Sequence, residues 1–413
     1  MAGEPDQTVA ELYRSDWGGI LATVIRLVGD FEVAEDAVQE AFTAAVGQWR
    51  SAGVPELPRA WIIQTARHKA IDRIRRMALH RQRVGSLVVS EAVSPSQEQE
   101  YDSSGIADDR LRLIFTCCHP ALSPDAQVAL TLRTLGGLET VEIARAFLVP
   151  ETTMAQRLVR AKRKIRDARI PYVVPSLRDL PERLDVVLTV IYLIFNEGYA
   201  STRGAPLVRL DLCAEAIRLA RLVRELMTPA SPETTALLAL MLLHDARRDA
   251  RIDDRGEIVT LEEQDRARWN RSQIDEALPL VAEAIGGTPG PFAVQAAIAA
   301  LHCHAARPEE TNWHQILQLY DLLERLQPSP IVSLNRGVAL AMARSPAEGL
   351  EQIDMLAGQL EGYHLFHAAR ADLLRRMGSI EAAAEAYRKA LALVTNENER
   401  RYLERRLREA IEM

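Results

Sequence analysis

Within GLETVEIARAFLVPETTMAQRLVRAKRKI, residues 137–165, two helical periods flank a proline. In the first, Ile143, Ala144 and Phe147 share a face, and Thr140 is suited to cap the start. Leu148 and Val149 lead through a short turn to Pro150, whose fixed φ suits a first helical position. In the second, Met154, Leu158, Ala161 and Ile165 recur at spacings of three and four and turn inward. Thr152, Thr153, Gln156, Arg157, Arg160, Arg163 and Lys164 are left outside. The arrangement is that of a helix-turn-helix: polar tips at the N-terminal end of the second helix can reach base edges, and arginines farther along can hold phosphates. Generic helical hairpins share the apolar spacing, so the outward residues carry the inference.

Charge is segmented in the same way. Residues 157–169 hold seven basic side chains against Asp167 alone, and residues 59–83 hold eight against Asp72 alone. Residues 1–58 hold three against ten acidic ones, and residues 84–156 hold four against ten. The first 170 of the 413 residues are therefore neutral, and the net charge of −7 belongs to the remainder. Two compact basic blocks in acidic surroundings suit docking at two separated places on a polyanion. Taken singly, either block could equally be a solvated helix face.

Most of the chain has a helical period, and strand alternation is scarce, so the expected class is all-α. Val33, Ala37, Val38, Ala41, Phe42, Ala45, Val46 and Trp49 form one apolar stripe, opened by Asp30 as a cap and closed by Gly53 and Pro55. Glu35, Asp36, Gln39, Glu40 and Thr43 are expected on the outer face, an acidic surface suited to a protein partner. From Pro58 to Arg76, Trp61, Ile62, Ala66, Ala70, Ile71 and Ile74 are placed for packing while Arg67, His68, Lys69, Arg73 and Arg76 project. Aromatic and basic side chains on one helix can serve single-stranded nucleic acid, where stacking contributes about 1–3 kcal/mol per base. Trp61 is as well suited to a core.

A composition of 48% hydrophobic and 26% charged residues is that of a globular protein and excludes disordered and collagen-like chains. The longest apolar run, Val186 to Phe195, is about half of what a bilayer-spanning helix needs, and Glu4 and Asp6 stand where a signal peptide would be basic and then apolar. A cytoplasmic protein without a membrane partner is expected. Cys117, Cys118, Cys213 and Cys303 form no CxxC pair and fit a reducing compartment. No metal, cofactor or catalytic set is expected. Cys117, Cys118 and His119 lack a complementary pair, and the calcium-loop spacing from Arg251 to Glu262 is spoiled by Arg251 and Arg255 at ligand positions. His302 with His304, and His364 with His367, lack a third ligand. Walker, dinucleotide and nucleophile-elbow motifs are absent.

The Ser-, Gln- and Glu-rich stretch 83–105 is expected to be a linker, and Pro171, Pro175 and Pro181 mark a second break. One hairpin is expected from Arg251 to Leu261, turning at Asp254, Arg255 and Gly256. Beyond it a period of 34 residues aligns His302 with Arg336 and Arg370, Ile316 with Leu350 and Ala384, Leu319 with Ile353 and Tyr387, and Leu322 with Leu356 and Ala390. That is the length of a tetratricopeptide helix pair. Gly337, Ala339, Ala341 and Ala371 fall where paired helices would approach, and Gly378 falls at a turn. Asn196, Glu197, Gly198 and Tyr199 interrupt the apolar helix, with Gly198 expected as its C-cap. With Arg247, Asp249 and Arg251 they form a candidate interdomain or regulatory point.

Taken together, AEDAVQEAF (34–42), LPRAWIIQTARHKAIDRIRR (57–76) and the 137–165 stretch resemble, in order and spacing, the extracytoplasmic-function group of bacterial sigma-70-type RNA polymerase sigma factors. IYLIFNEGYAST (191–202), RLDLCAEAIRLARLV (209–223) and the repeats resemble the subgroup with a tetratricopeptide-like extension. The resemblance implies a helical sigma domain 2 over 1–82, a linker over 83–105, and a helix-turn-helix domain 4 over 106–170. A helical extension over 171–290 and a TPR-like solenoid over 291–413 would follow. It implies an alternative sigma factor, not an enzyme, that binds the β′ clamp and β flap of core RNA polymerase and directs promoter recognition, melting and initiation. The core-polymerase contact would fall on Asp36, Gln39, Glu40 and Phe42. The −10 promoter contact would fall on Trp61, Gln64, Thr65, Arg67, His68, Lys69, Arg73 and Arg76. The −35 contact would fall on Glu151, Thr152, Thr153, Gln156, Arg157, Arg160, Arg163 and Lys164. Gln64-Thr65 departs from the family pattern, which has an asparagine nearby, and this bears on the −10 base preference. The extension would be a fused regulatory module open to a protein regulator. The alternative is a TPR-containing helix-turn-helix regulator or adaptor acting independently of polymerase, which would have no use for the acidic stripe.

Overall fold

The computed structural model describes residues 4–83, 103–147, 149–176, 178–199, 210–227, 229–253 and 257–412. They form helices, short 3-10 turns and one isolated antiparallel bridge, Ile252 with Ile258, so the class is all-α. Two compact units divide between Leu193 and Ile194. Most of the expected linker (84–102), Leu148 of the helix-turn-helix, and the hairpin tip Asp254, Arg255 and Gly256 lie outside the described residues.

The first unit holds α1 (Glu4–Val28), α2 (Phe31–Ala52), α3 (Pro58–Arg83), α4 (Ser103–Cys117), α5 (Pro124–Thr134), α6 (Thr140–Ala146), α7 (Glu151–Asp167) and most of α8 (Leu180–Tyr199). Asp30 caps α2 as expected, its carboxylate accepting from the N–H groups of Glu32 and Val33 at 2.9 and 3.0 Å. Gly53 ends the helix at φ +84°, a conformation that costs glycine little. The α2 stripe is buried except for half-buried Val46. It packs on α1, where Tyr13 lies 5.3 Å edge-on from Phe42 and Trp17 is 1% exposed. Burying a large apolar side chain of this kind contributes about 1.5–3 kcal/mol. Close approach joins α1 to the chain after α5. A Cβ on Gly18 would stand 2.9 Å from the Leu135 carbonyl oxygen, and one on Gly137, at φ +71°, would stand 3.2 Å from the Trp17 ring. Trp17 Nε1 donates to the Arg133 carbonyl at 3.3 Å.

Several local expectations are corrected. α6 begins at Thr140 itself, and the Glu139 N–H is satisfied by the Glu142 carboxylate at 2.6 Å, so Thr140 is not the cap. Pro150 occupies the cap position and α7 starts one residue later. Ile74, expected to pack, is 38% exposed because α3 extends past the body it lies on. α8 continues through Gly198 to Tyr199, so Gly198 is a helical residue rather than a C-cap. Pro171, Pro175 and Pro181 lie inside the first unit, where the Tyr172 hydroxyl sits 3.0 Å from the carbonyls of both Ala22 and Asp109.

The second unit continues with α9 (Leu210–Leu226), α10 (Pro232–Asp245), α11 (Arg271–Ile285), α12 (Pro291–His304), α13 (Trp313–Leu326), α14 (Pro330–Ala343), α15 (Pro346–Asp354), α16 (Ala357–Leu360), α17 (His364–Arg376), α18 (Ile380–Leu393) and α19 (Glu397–Glu412). α10 is apolar all round and buried almost throughout. The 34-residue period is seen in the starts of α14 and α17 at Pro330 and His364, and of α15 and α18 at Pro346 and Ile380. The step from α12 to α14 is longer and accommodates the 3-10 turn Pro308–Glu310. Repeat positions Ile316, Ile353, Tyr387 and Ala390 are buried. Helices α14 and α15 approach through two glycines: a Cβ on Gly337 would stand 2.7 Å from Ile353 Cγ1, and one on Gly349 would stand 2.7 Å from the Gly337 carbonyl oxygen. Gly378 turns the chain into α18 at φ +76°.

Candidate nucleic-acid interface

On α7, Met154, Leu158, Ala161 and Ile165 are buried, as their spacing predicts. Glu151, Thr152, Thr153, Gln156, Arg160, Arg163 and Lys164 are exposed, and Arg157 is half-buried. Thr153, Gln156, Arg157, Arg160 and Lys164 line a concavity of about 430 Å³ together with the start of α5. Arg157 is held by Asp125 at 3.2 Å and Arg163 by Asp167 at 3.5 Å. Among the described residues Arg160 and Lys164 have no carboxylate partner, so their charge faces solvent.

α3 presents two flanks. Gln64, His68, Arg75 and Arg76 are exposed, with Thr65 and Arg67 half-buried beside them. Lys69 and Arg73 instead lean onto α2. Arg73 pairs with Asp36 at 2.6 Å and Glu40 at 3.8 Å, and Lys69 pairs with Glu40 at 3.4 Å. The acidic stripe and the aromatic-basic helix thus screen one another. Trp61 is half-buried, edge-on to Trp49 at 5.4 Å. Gln39 is half-buried and Glu40 exposed, whereas Phe42, 5% exposed, sits in the core and offers no surface to a partner in this conformation.

Glu35 overturns the outward expectation. It is 5% exposed, with Arg133 of α5 at 2.6 Å and Lys162 of α7 on its other oxygen. Burial alone would raise its carboxyl, but Lys162 and Arg133 outweigh that and hold it below the usual carboxylate range. One signal in the sequence could have flagged this: Glu35 precedes Val38 by three and Phe42 by seven, which puts it on the edge of the apolar stripe. The stretch 112–165 thereby packs directly against the helix that bears the acidic stripe.

In the second unit, Tyr199, Arg247 and Arg251 come together around His244. The Arg251 guanidinium lies 3.7 Å from the centre of the Tyr199 ring, Arg247 donates to the Tyr199 hydroxyl at 3.3 Å, and the Tyr199 and His244 rings are 5.1 Å apart. Burial and then the neighbouring Arg247 and Arg251 hold His244 well below its ordinary range. Asn196, Glu197 and Gly198 are half-buried on α8, and Asp249 is exposed. Burial pushes the Cys117 and Cys118 thiols up, Cys118 to about 12, so neither supplies a thiolate. Among the described residues no three His, Cys, Asp or Glu side chains are grouped to hold a metal, and no helix is long and apolar enough to cross a membrane.

Residues 12–79 match the Sigma-70 region 2 family, residues 112–165 match the Sigma-70, region 4 family, and residues 183–285 match a family of unknown function, DUF6596. An uncharacterized protein of Rhizobium meliloti (strain 1021) is 43% identical over 394 residues, covering 94% of this chain and 92% of that protein. The probable ECF RNA polymerase sigma factor SigI of Mycobacterium tuberculosis is 28% identical over 39% of this chain and 56% of its own length. The ECF RNA polymerase sigma factor SigK of Mycobacterium bovis is 26% identical over 40% of this chain and 88% of its own length. No solved structure matches the chain.

Proposed function

The chain belongs to the extracytoplasmic-function group of sigma-70-type RNA polymerase sigma factors, and from that premise we propose how its residues divide the work of initiation. Asp36, Gln39 and Glu40 meet a basic surface of the polymerase clamp. Gln64, Thr65, Arg67, His68, Lys69, Arg73 and Arg76, with Trp61 beneath them, take the melted −10 strand. The outer face of α7, from Glu151 to Lys164, lies in the major groove at −35 and also meets the β flap. The observation that carries this reading is the contrast on α7: a buried apolar row opposite exposed Thr152, Thr153 and Gln156, followed by Arg160 and Lys164, which have no carboxylate partner among the described residues. The sequence-derived divisions 1–82, 106–170, 171–290 and 291–413 are kept as functional modules, with the last two regulatory. Tyr199, Arg247 and Arg251 brace the start of that regulatory part.

The work is differential binding without covalent chemistry. Holding unpaired non-template strand better than duplex offsets the cost of unpairing. Polymerase tethers the second DNA contact, which raises its effective concentration. The packed first unit also sets a condition. A compact body of about 190 residues is about 40 Å across, whereas elements at −10 and −35 lie roughly 25 base pairs, or about 85 Å, apart. Reading both at once therefore requires α7 to leave α2, breaking the Glu35 contact.

Transcription in vitro with core polymerase and a pool of genomic fragments tests the reading. Initiation from a subset of fragments is expected, and Arg160→Ala with Lys164→Ala should flatten the salt dependence of −35 duplex binding by about 0.9 for each phosphate left without its cation. Tight binding to duplex by the free protein, with no initiation from any fragment, would instead favour a regulator independent of polymerase.

A further inference from the structure

The second unit contains a concavity of about 750 Å³ to which initiation assigns no role. Its walls come from α12, α13, α14, α17, α18 and α19, and among the residues lining it Ile331, Asn335 and Leu365 are exposed. A concavity of this size has room for a short extended segment of chain. Among the described residues the Asn335 amide has no partner, so it can both donate to and accept from a peptide backbone.

Along one side runs a non-helical stretch of the chain itself, Glu257 to Glu263, which includes the bridge residue Ile258. Its three acids are seated on arginines more than a hundred residues away. Glu257 pairs with Arg405 at 3.0 Å, Glu262 with Arg376 at 2.9 Å, and Glu263 with Arg406 at 4.0 Å. Beneath them Asp372 accepts from Arg375 and Arg376 at 2.7 Å each and from Arg406 at 3.2 Å, so three guanidinium groups share one fixed carboxylate. At the other end Arg266 has no carboxylate partner among the described residues. It donates to the carbonyls of His302 and Ala305 and lies 4.8 Å from the centre of the Trp269 ring. The Nε–H groups of Arg266, Arg375 and Arg406 are buried without an acceptor, which leaves this arginine set incompletely satisfied.

The geometry points to a docking groove for an extended, acidic segment of a partner protein, with the strap Glu257 to Glu263 as a built-in competitor for the same arginines. The inference rests on the reading of the extension as a regulatory module and names the chemistry of its partner. Charge complementarity selects the occupant, because the groove already holds glutamates of its own chain, Glu262 on Arg376 and Glu263 on Arg406. A nucleic-acid backbone is disfavoured, since Ile331, Leu334, Val338 and Leu365 line the surface between the arginines and suit apolar side chains rather than a sugar-phosphate chain. Tyr363, Tyr387 and Tyr402 supply apolar walls for the side chains that flank the acids.

The test uses the full chain and a fluorescein-labelled peptide GEIVTLEEQ, which copies residues 256–264, beside its counterpart with glutamine for each glutamate. Anisotropy should show weak binding of the acidic peptide to the wild-type chain. Glu257→Gln, Glu262→Gln and Glu263→Gln together should tighten it about tenfold, because an intramolecular competitor at high effective concentration loses its charge. The glutamine peptide should bind neither chain. Adding Arg376→Gln and Arg406→Gln should abolish binding. Those arginines also brace α17 and α19, so Ile331→Asp and Leu365→Asp, at exposed positions, give an independent loss without threatening the fold. Equal binding of the acidic and glutamine peptides, equal affinity of wild-type and neutral-strap chains, or indifference to Ile331→Asp and Leu365→Asp would each overturn the groove. The assay contains neither polymerase nor DNA. Initiation by the same preparations is scored separately, so a groove that binds nothing leaves the sigma-factor reading standing, and the reverse.

Discussion

Glu35 and its near neighbours Asp36 and Glu40 lie within two turns of one helix, yet their ion pairs belong to different physical regimes. The Glu35 side chain is 7% exposed, against 8% for Arg133 and 15% for Lys162. Asp36 and Glu40 are 44% and 50% exposed, and their partners Arg73 and Lys69 are 40% and 35% exposed. A water-screened pair contributes about 0–1 kcal/mol, whereas removing one partner of a buried pair costs about 3–5 kcal/mol. The buried set therefore fastens α2 to α5 and α7, while the exposed set can exchange partners at little cost. On the proposed reading, exchange of the exposed pairs for polymerase and −10 contacts leaves the α2 packing intact, and only the −35 contact requires the buried set to open.

The largest effect should come from Glu35→Gln, which strands Arg133 and Lys162 without a counter-charge. Urea unfolding of the full chain is expected to show the first unit destabilised by about 3–5 kcal/mol. A loss no larger than that of an exposed pair would erase the distinction. Acidification should sharpen the same contrast at a smaller scale. Because the Glu35 carboxyl is held below its unfolded range, its contribution is present above the unfolded pKa of about 4.3 and is lost as pH falls through the lower folded value. The wild type should thus lose more stability below about pH 4 than Glu35→Gln does, and parallel pH profiles would contradict the assignment.

The smallest change in stability should follow Asp36→Asn with Glu40→Gln, within about 1 kcal/mol. Its effect should appear in binding: weaker affinity for core polymerase, and a few-fold tighter hold of the free protein on single-stranded DNA as Lys69 and Arg73 are released. Removing two exposed acids at Glu11 and Glu182 controls for net charge. If both pairs of substitutions changed DNA binding equally, the mutual screening of α2 and α3 would have no specific role.

Much of this molecule was legible from spacing. The α7 row Met154, Leu158, Ala161 and Ile165, the Asp30 cap and the 34-residue step from α14 to α17 all follow from local periodicity. The site was less legible where partners come from afar. Phe42 was read both as part of the buried α2 stripe and as a polymerase contact; it packs against Tyr13 and Trp17, on an aromatic wall from α1 that no motif announced. Tyr199, Arg247 and Arg251 were grouped from sequence and do meet, whereas Asp249 is exposed. The strap acids gave no signal beyond a spoiled calcium-loop spacing, since their arginines lie far along the chain.

The sequence by itself determined the all-α class, the order of the promoter-facing motifs and the two basic blocks, because helical period and charge are properties of neighbouring residues. Only the tertiary structure decided that Glu35 is buried while Asp36 and Glu40 remain in water, and that the glutamates of the strap Glu257 to Glu263 occupy arginines of α17 and α19. The physical reason is the same in both cases. The strength of a charge's interaction depends on which distant surfaces exclude water from it, and one chain's local pattern carries no record of those surfaces.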